Sequence, residues 1–275
     1  GWAFLGNGVV VLKEQGSSVL LNLFGGPMVN AAQGIAMQVN AAVYSFVSNF
    51  MIASNPQITK NCAAGDLNSM HSLIIRSEKF GFFILLIILL PLCAGIDYVL
   101  GVWLVDVPAH TTNFIVLILL YSLIECFVSP LTTGVLAQGK IKSFEIVLTF
   151  IYLGNFIASY VCLKIGMAVE SVFVLNIIFK FFVLVALLLH SRSKYSFPIA
   201  RFFRECLLPS LLVFLVSALF VYVLPGKDTP FIGIFVVRTL AIATFTCVAV
   251  FVIGMAKRER LYVKKLLKEK VCSKI

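Results

Sequence analysis

From residue 22 to residue 60 the chain reads NLFGGPMVNAAQGIAMQVNAAVYSFVSNFMIASNPQITK, as long as a membrane-crossing helix with its flanks, yet rich in amides and hydroxyls. At steps of three and four, Asn30, Gly34, Gln38, Ala41, Ser45 and Asn49 fall on one helix face. Gln33, Met37, Asn40, Tyr44 and Ser48 form a second line beside it. Polar groups turned toward lipid are costly unless satisfied, so this face must look at other helices or at a water-filled cavity. Helix packing through small residues, with amides as glue, accounts for one such line. Two adjacent lines exceed what packing needs and favour a cavity.

Composition sets the surroundings of that helix. Of the 275 residues 60% are hydrophobic and 12% charged, against about 25% charged in a soluble domain. With a mean hydropathy of +1.03, the expected fold is all-α, a polytopic transmembrane helix bundle. The net charge of +10 is gathered in loops and in a basic tail, 257–275, which is the pattern of membrane topology and gives no reason to expect nucleic acid. Seven cysteines are scattered without CxxC spacing, so neither a disulfide frame nor a metal site is expected. No motif calls for a cofactor.

Eight apolar spans are expected, at about 2–24, 28–54, 80–104, 111–137, 143–165, 167–190, 206–224 and 230–256. The first six form a lobe, 1–190, and the last two an appended pair, 206–256. Between the second and third, Leu67, Met70, Ile74 and Ile75 suggest an amphipathic interfacial helix at about 66–78, with Asp66 as its N-cap. Alternate connections hold Lys60, Arg76 and Lys79, then Lys140 and Lys142, then Arg192, Lys194, Arg201 and Arg204; the others carry only Lys164 and Lys227. By the positive-inside rule both ends are cytoplasmic. The third and seventh spans are apolar nearly all round and suit lipid-facing positions.

Several spans carry charge that a bilayer tolerates only for a reason. Lys13 and Glu14 lie in the first, Glu125 in the fourth and Lys180 in the sixth, where Asn176 precedes it by one turn; Asn155 sits on a polar stripe of the fifth. Pairing of Lys13 or Lys180 with Glu14 or Glu125 would lock the bundle. Taken with the amide lines, the set points to a polar conduit or cavity.

The run LNLFGGPMVNAAQGIAMQVNAAVYSFVSNFMIASNPQITK, followed by AAGDLNSMHSLIIRSEKF and DYVLGVWL, resembles the second half of bacterial Wzx-type polysaccharide flippases, members of the multidrug, oligosaccharidyl-lipid and polysaccharide exporter superfamily. The resemblance implies the second six-helix lobe of a two-lobed transporter plus two appended helices in the bacterial cytoplasmic membrane. A chain opening on Gly1-Trp2 is then expected to lack the first lobe. The implied task is to carry undecaprenyl-diphosphate-linked oligosaccharide between leaflets by alternating access, coupled to a proton or sodium gradient.

On that reading Asn30, Gln33, Gln38, Asn40, Asn49 and Asn155 meet sugar hydroxyls, Lys13 and Lys180 meet the diphosphate, and Glu14 and Glu125 are the coupling-ion candidates. A cation-coupled multidrug antiporter of the same superfamily is the nearest alternative. A membrane enzyme acting on a polyprenyl-linked sugar is a weaker one, because the outer loops are short and no HExxH, GxSxG or P-loop spacing occurs.

Overall fold

A computed structural model describes residues 2–139, 142–224, 232–257 and 259–261, with side chains from Gln15 onward. Among these every regular element is a helix: α1 (Trp2–Ala63), α2 (Leu67–Ala94), α3 (Ile96–Trp103), α4 (Thr111–Ala137), α5 (Lys142–Lys164), α6 (Ser171–Tyr195), α7 (Ile199–Phe202), α8 (Leu208–Val223) and α9 (Ile232–Ala249). Six helical stretches among the described residues are long and apolar enough to cross a membrane, and the bent pair of α2 and α3 makes a seventh if counted as one span.

The polar stretch occupies the longer arm of α1. That element is two helices meeting at Gly26, whose φ of 78° and ψ of −178° belong to a region essentially reserved for glycine. Pro27 follows directly, at the position where a helix start needs no amide hydrogen. The second arm was expected to end near Asn55-Pro56; instead it runs through Pro56 to Ala63. Asn55 is held there by Thr133 of α4, whose hydroxyl donates to Asn55 Oδ1 at 3.2 Å. The arm ends at Gly65, with φ of 73°, and Asp66 caps α2 by accepting from the Ser69 amide at 3.0 Å. These hydrogen bonds to Ser69 hold the Asp66 carboxyl below its ordinary value.

The helix expected at 66–78 and the span expected from 80 are one continuous helix, α2, followed by a 72° bend into α3. Its apolar face is covered by protein: Met70, Ile74 and Ile75 are buried. Downstream, Phe82, Phe83, Leu85, Leu86, Leu89 and Leu90 are buried as well, which overturns the expectation that this span faces lipid. A helix apolar all round can be covered on every side as readily as bathed in lipid. α8 keeps the expected character, with Leu211, Leu215 and Leu219 exposed and Ser210, Val213 and Ser217 buried.

The chain forms two compact units: Gly1–Leu85 with Ile96–Ile199, and Leu86–Gly95 with Ala200–Ile275. In the first, α1, α4, α6 and α5 close a ring in which each helix packs chiefly on two others. Apolar residues of α5 and α6 such as Phe150, Ile157, Phe181 and Leu189 stand outside it. In the second, α8 packs on α9 with the rings of Phe220 and Phe245 stacked 3.9 Å apart.

The connections before α4 and before α6 are tied together. His110 Nδ1 lies 2.6 Å from Glu170 Oε1, Asn113 donates to the same oxygen at 3.2 Å, and Thr112 donates to Asp97 at 2.7 Å. Partial burial pushes the Glu170 carboxyl up, but the hydrogen bonds from His110 and Asn113 outweigh it and hold the group below its usual value.

Two predictions follow from these joints. Gly26→Ala forces a Cβ into the reserved backbone region and lowers stability by about 1–3 kcal/mol, while Gly34→Ala, mid-helix with open space around its Cβ, is neutral or better in the same thermal melts. Because the Glu170 carboxyl is lowered by folding, its contribution is present above the ordinary carboxylate range and lost as pH falls through the lowered value. The melting temperature of Glu170→Gln therefore lies below that of the wild type at neutral pH and converges with it in acid; parallel curves would refute the link.

Candidate functional site

Two of the charged residues singled out in the sequence meet inside the ring. The Lys180 ammonium, on α6, pairs with Glu125 Oε2 on α4, the lysine 5% exposed and the glutamate 26%. The ammonium also lies over the Tyr121 ring, 5.2 Å from its centroid. Helix spacing produces this arrangement, because Tyr121 and Glu125 stand one turn apart on the inner face of α4. Tyr44 of α1 lies within electrostatic range of both charges. A lysine this deep is tolerable only with a counter-charge and an aromatic face beside it.

The amides form relays between helices. Asn155 of α5 is buried; it donates to Asn176 of α6 at 2.8 Å and accepts from Ser159 at 3.2 Å. Ser122 of α4 donates to Asn40 of α1 at 2.7 Å. Ser18 donates to Asn30 at 2.9 Å, bridging the two arms of α1 across the break at Gly26. Small residues let the helices approach closely: a Cβ on Gly16 would come within 2.7 Å of the Phe156 ring, and one on Gly154 within 3.3 Å of Phe179.

Between α1, α4 and α6 these relays leave a cavity of about 170 Å³, lined by Ser17, Gln33, Met37, Asn40, Leu117, Ile118, Tyr121, Phe173 and Asn176. This is room for several water molecules. Its wall is neutral and amphipathic: three amides and two hydroxyls set among apolar side chains. Gln33 Oε1 is buried and has no hydrogen-bond partner among the described residues. The cavity thus offers a desolvated acceptor to a donor such as water or a hydroxyl. Tyr121 belongs both to this wall and to the seat of the Lys180 ammonium, so the ion pair lies next to the cavity.

Of the residues picked from the sequence, Gln33 and Asn40 line the cavity, Asn155 joins it through Asn176, and Asn30 supports the α1 break. Gln38 and Asn49 are exposed on the outer side of α1 and take no part in it. The two amide lines diverge because α1 buries Ala32, Ala36, Val43, Val47 and Met51 against the bundle. That buried stripe brings Gln33 and Asn40 to the cavity wall, with Met37 at its exposed edge. Lys13 and Glu14 lie outside the residues whose side chains are described.

Ser17, Ser122 and Phe173 went unmarked in the sequence. Ser122, three residues before Glu125, carried a spacing signal; the other two have none. Among the described residues no cluster of His, Cys, Asp and Glu has the makings of a metal site. Comparison of the chain with family models, with curated proteins and with solved structures returned no match.

The ion pair makes its own prediction. Lys180→Met and Glu125→Leu each strand a charge and lower stability by about 3 kcal/mol, the low end for a buried pair because one partner is a quarter exposed. The double variant recovers most of that loss, read as a coupling energy in a double-mutant cycle on melts in detergent. Additive losses would show that the two charges act independently.

Proposed function

We propose that this chain is a transporter lobe that moves an undecaprenyl-diphosphate-linked oligosaccharide across the bacterial cytoplasmic membrane by alternating access. The observation that carries the proposal is the amide- and hydroxyl-lined cavity with an unpartnered Gln33 oxygen, set inside a bundle of membrane-length helices beside a buried cation. The resemblance to Wzx-type flippases supports the same reading. Six membrane-length helices among the described residues, seven with the bent pair of α2 and α3, are compatible with such a lobe and its appended pair.

In this reading both ends face the cytoplasm, and a first lobe completes the pathway. Amides suit a glycan because each offers both a donor and an acceptor to a hydroxyl that needs both. A cavity of this size takes the waters that sugar hydroxyls displace, and the passage of a whole repeat unit requires the helices to part, as alternating access supplies. Lys180 is the cation beside the cavity among the described residues, and it must leave Glu125 to meet a diphosphate. That exchange links substrate charge to the carboxylate, which is then free to take the coupling proton or sodium ion. A cation-coupled antiporter would use the same ion pair without the glycan-directed amides.

The test is transfer in vesicles that hold the full natural chain and a fluorescent undecaprenyl-diphosphate oligosaccharide. Label should cross leaflets faster than in protein-free vesicles, with its mass unchanged. Gln33→Leu should slow transfer about tenfold, the equivalent of one hydrogen bond of roughly 1–1.5 kcal/mol. A change in the mass of the lipid would identify an enzyme. Uptake of cationic dyes with no glycan transfer would identify the antiporter.

A further inference from the structure

At the end of the first unit where the basic connections gather, α2 carries a carboxyl group sealed from solvent. Glu78 is 0% exposed, and among the described residues neither of its side-chain oxygens meets a hydrogen-bond donor. Seven residues earlier on the same face of α2, His71 is buried too, its ring 5.7 Å from that of Tyr195 and edge-on to Phe197 at 5.3 Å. Tyr195, in the last turn of α6, donates its hydroxyl to Ser191 and lies within electrostatic range of Glu78 and of Cys62 near the end of α1. α4 presents Gly134 to this cluster, where a Cβ would come within 2.8 Å of Ile74 and 3.7 Å of the Tyr195 hydroxyl.

The titratable and charged groups around Glu78 are therefore His71, Arg76 and Lys79 on its own helix, Tyr195 on α6 and Cys62 on α1. Arg76 is exposed. Lys79 is buried as well, its ammonium over the Phe80 ring at 5.5 Å, and it makes no hydrogen bond to Glu78. An ionised carboxylate here would have neither water nor a donor, the costliest condition a buried group can meet. One proton removes the charge and with it the larger part of that cost. The alternative is to admit water, which requires this part of α2 to part from the elements that cover it, the end of α6 among them.

We propose that Glu78 is a proton-binding site: the packed form holds it as the neutral acid, and loss of its proton unseats residues 67–80 from Tyr195 and the last turn of α6. In that step the carboxyl O–H bond breaks, the electron pair stays on the carboxylate and the proton passes to solvent water. The proposal is independent of what the cavity between α1, α4 and α6 carries, since none of its residues lines that cavity.

Two readouts on the full chain test it. Infrared spectra at neutral pH should show a protonated-acid carbonyl band in the wild type that Glu78→Gln lacks and His71→Gln retains. Hydrogen exchange of residues 67–80, corrected for the intrinsic pH dependence, should rise tenfold or more as pH climbs through the Glu78 titration. In Glu78→Gln it should stay flat, and also in Glu78→Leu, which keeps the volume and serves if the amide fails to fold. Absence of the band from the wild type, or equal exchange profiles in wild type and variants, would overturn the proposal.

Discussion

Inside an apolar bundle each amide, hydroxyl and charge must find its partner within the protein, and the arrangement of α1, α4, α5 and α6 follows from that requirement. The Lys180–Glu125 pair is its most demanding instance, because withdrawing either charge strands the other. Its geometry fixes α6 against α4. The Asn155–Asn176 bond fixes α6 against α5, and the Ser122–Asn40 bond fixes α4 against α1. The fourth side of the ring, α1 against α5, is made by shape instead, with Gly16 under Phe156 and Phe24 edge-on to Tyr160 at 6.0 Å. A ring closed by three polar locks and one apolar contact concentrates its specificity on the interior. Its outer surface is left to residues such as Phe150 and Phe181, which demand no particular neighbour.

The second unit is built on the opposite plan. α8 and α9 meet through stacked aromatic rings, and the buried Ser210, Ser217 and Thr246 serve close approach. Thr246 satisfies its own hydroxyl on the Ile242 carbonyl. Gly95 does similar work at the end of the α2 segment belonging to this unit, where a Cβ would come within 2.3 Å of the Phe235 ring.

The helical class and the fourth to sixth spans were legible in composition and run length: α4 occupies the expected 111–137. The break at Gly26-Pro27 and the cap at Asp66 were legible because they rest on single residues with strong local preferences. The course of α2 was not, since a continuous apolar run reads alike whether protein or lipid covers it. Pro56 misled for a related reason: its local penalty is real, but Thr133 and the packing of α1 on α4 override it. In the candidate site the identities of the polar residues were readable and their partners only partly so. Nothing in the spacing on α1 decides whether the line of Gln33 or the line of Gln38 turns inward; that is settled by alanines and valines that bury themselves between helices distant in sequence. Glu78 passed unnoticed because a carboxylate among Arg76 and Lys79 looks solvated in one dimension.

The separation in sequence between Ser122 and Asn40, 82 residues, bears on how the protein is made. Asn30 finds Ser18 within α1 itself, but Asn40 can find no partner until α4 has emerged. At synthesis rates of about 5–20 residues per second that is an interval of roughly 4–16 s. During it α1 presents an unmatched amide face at the membrane, and the nascent chain depends on water or on the insertion machinery to shelter it. The same polar positions that tie the finished ring together therefore make its first helix the last to settle.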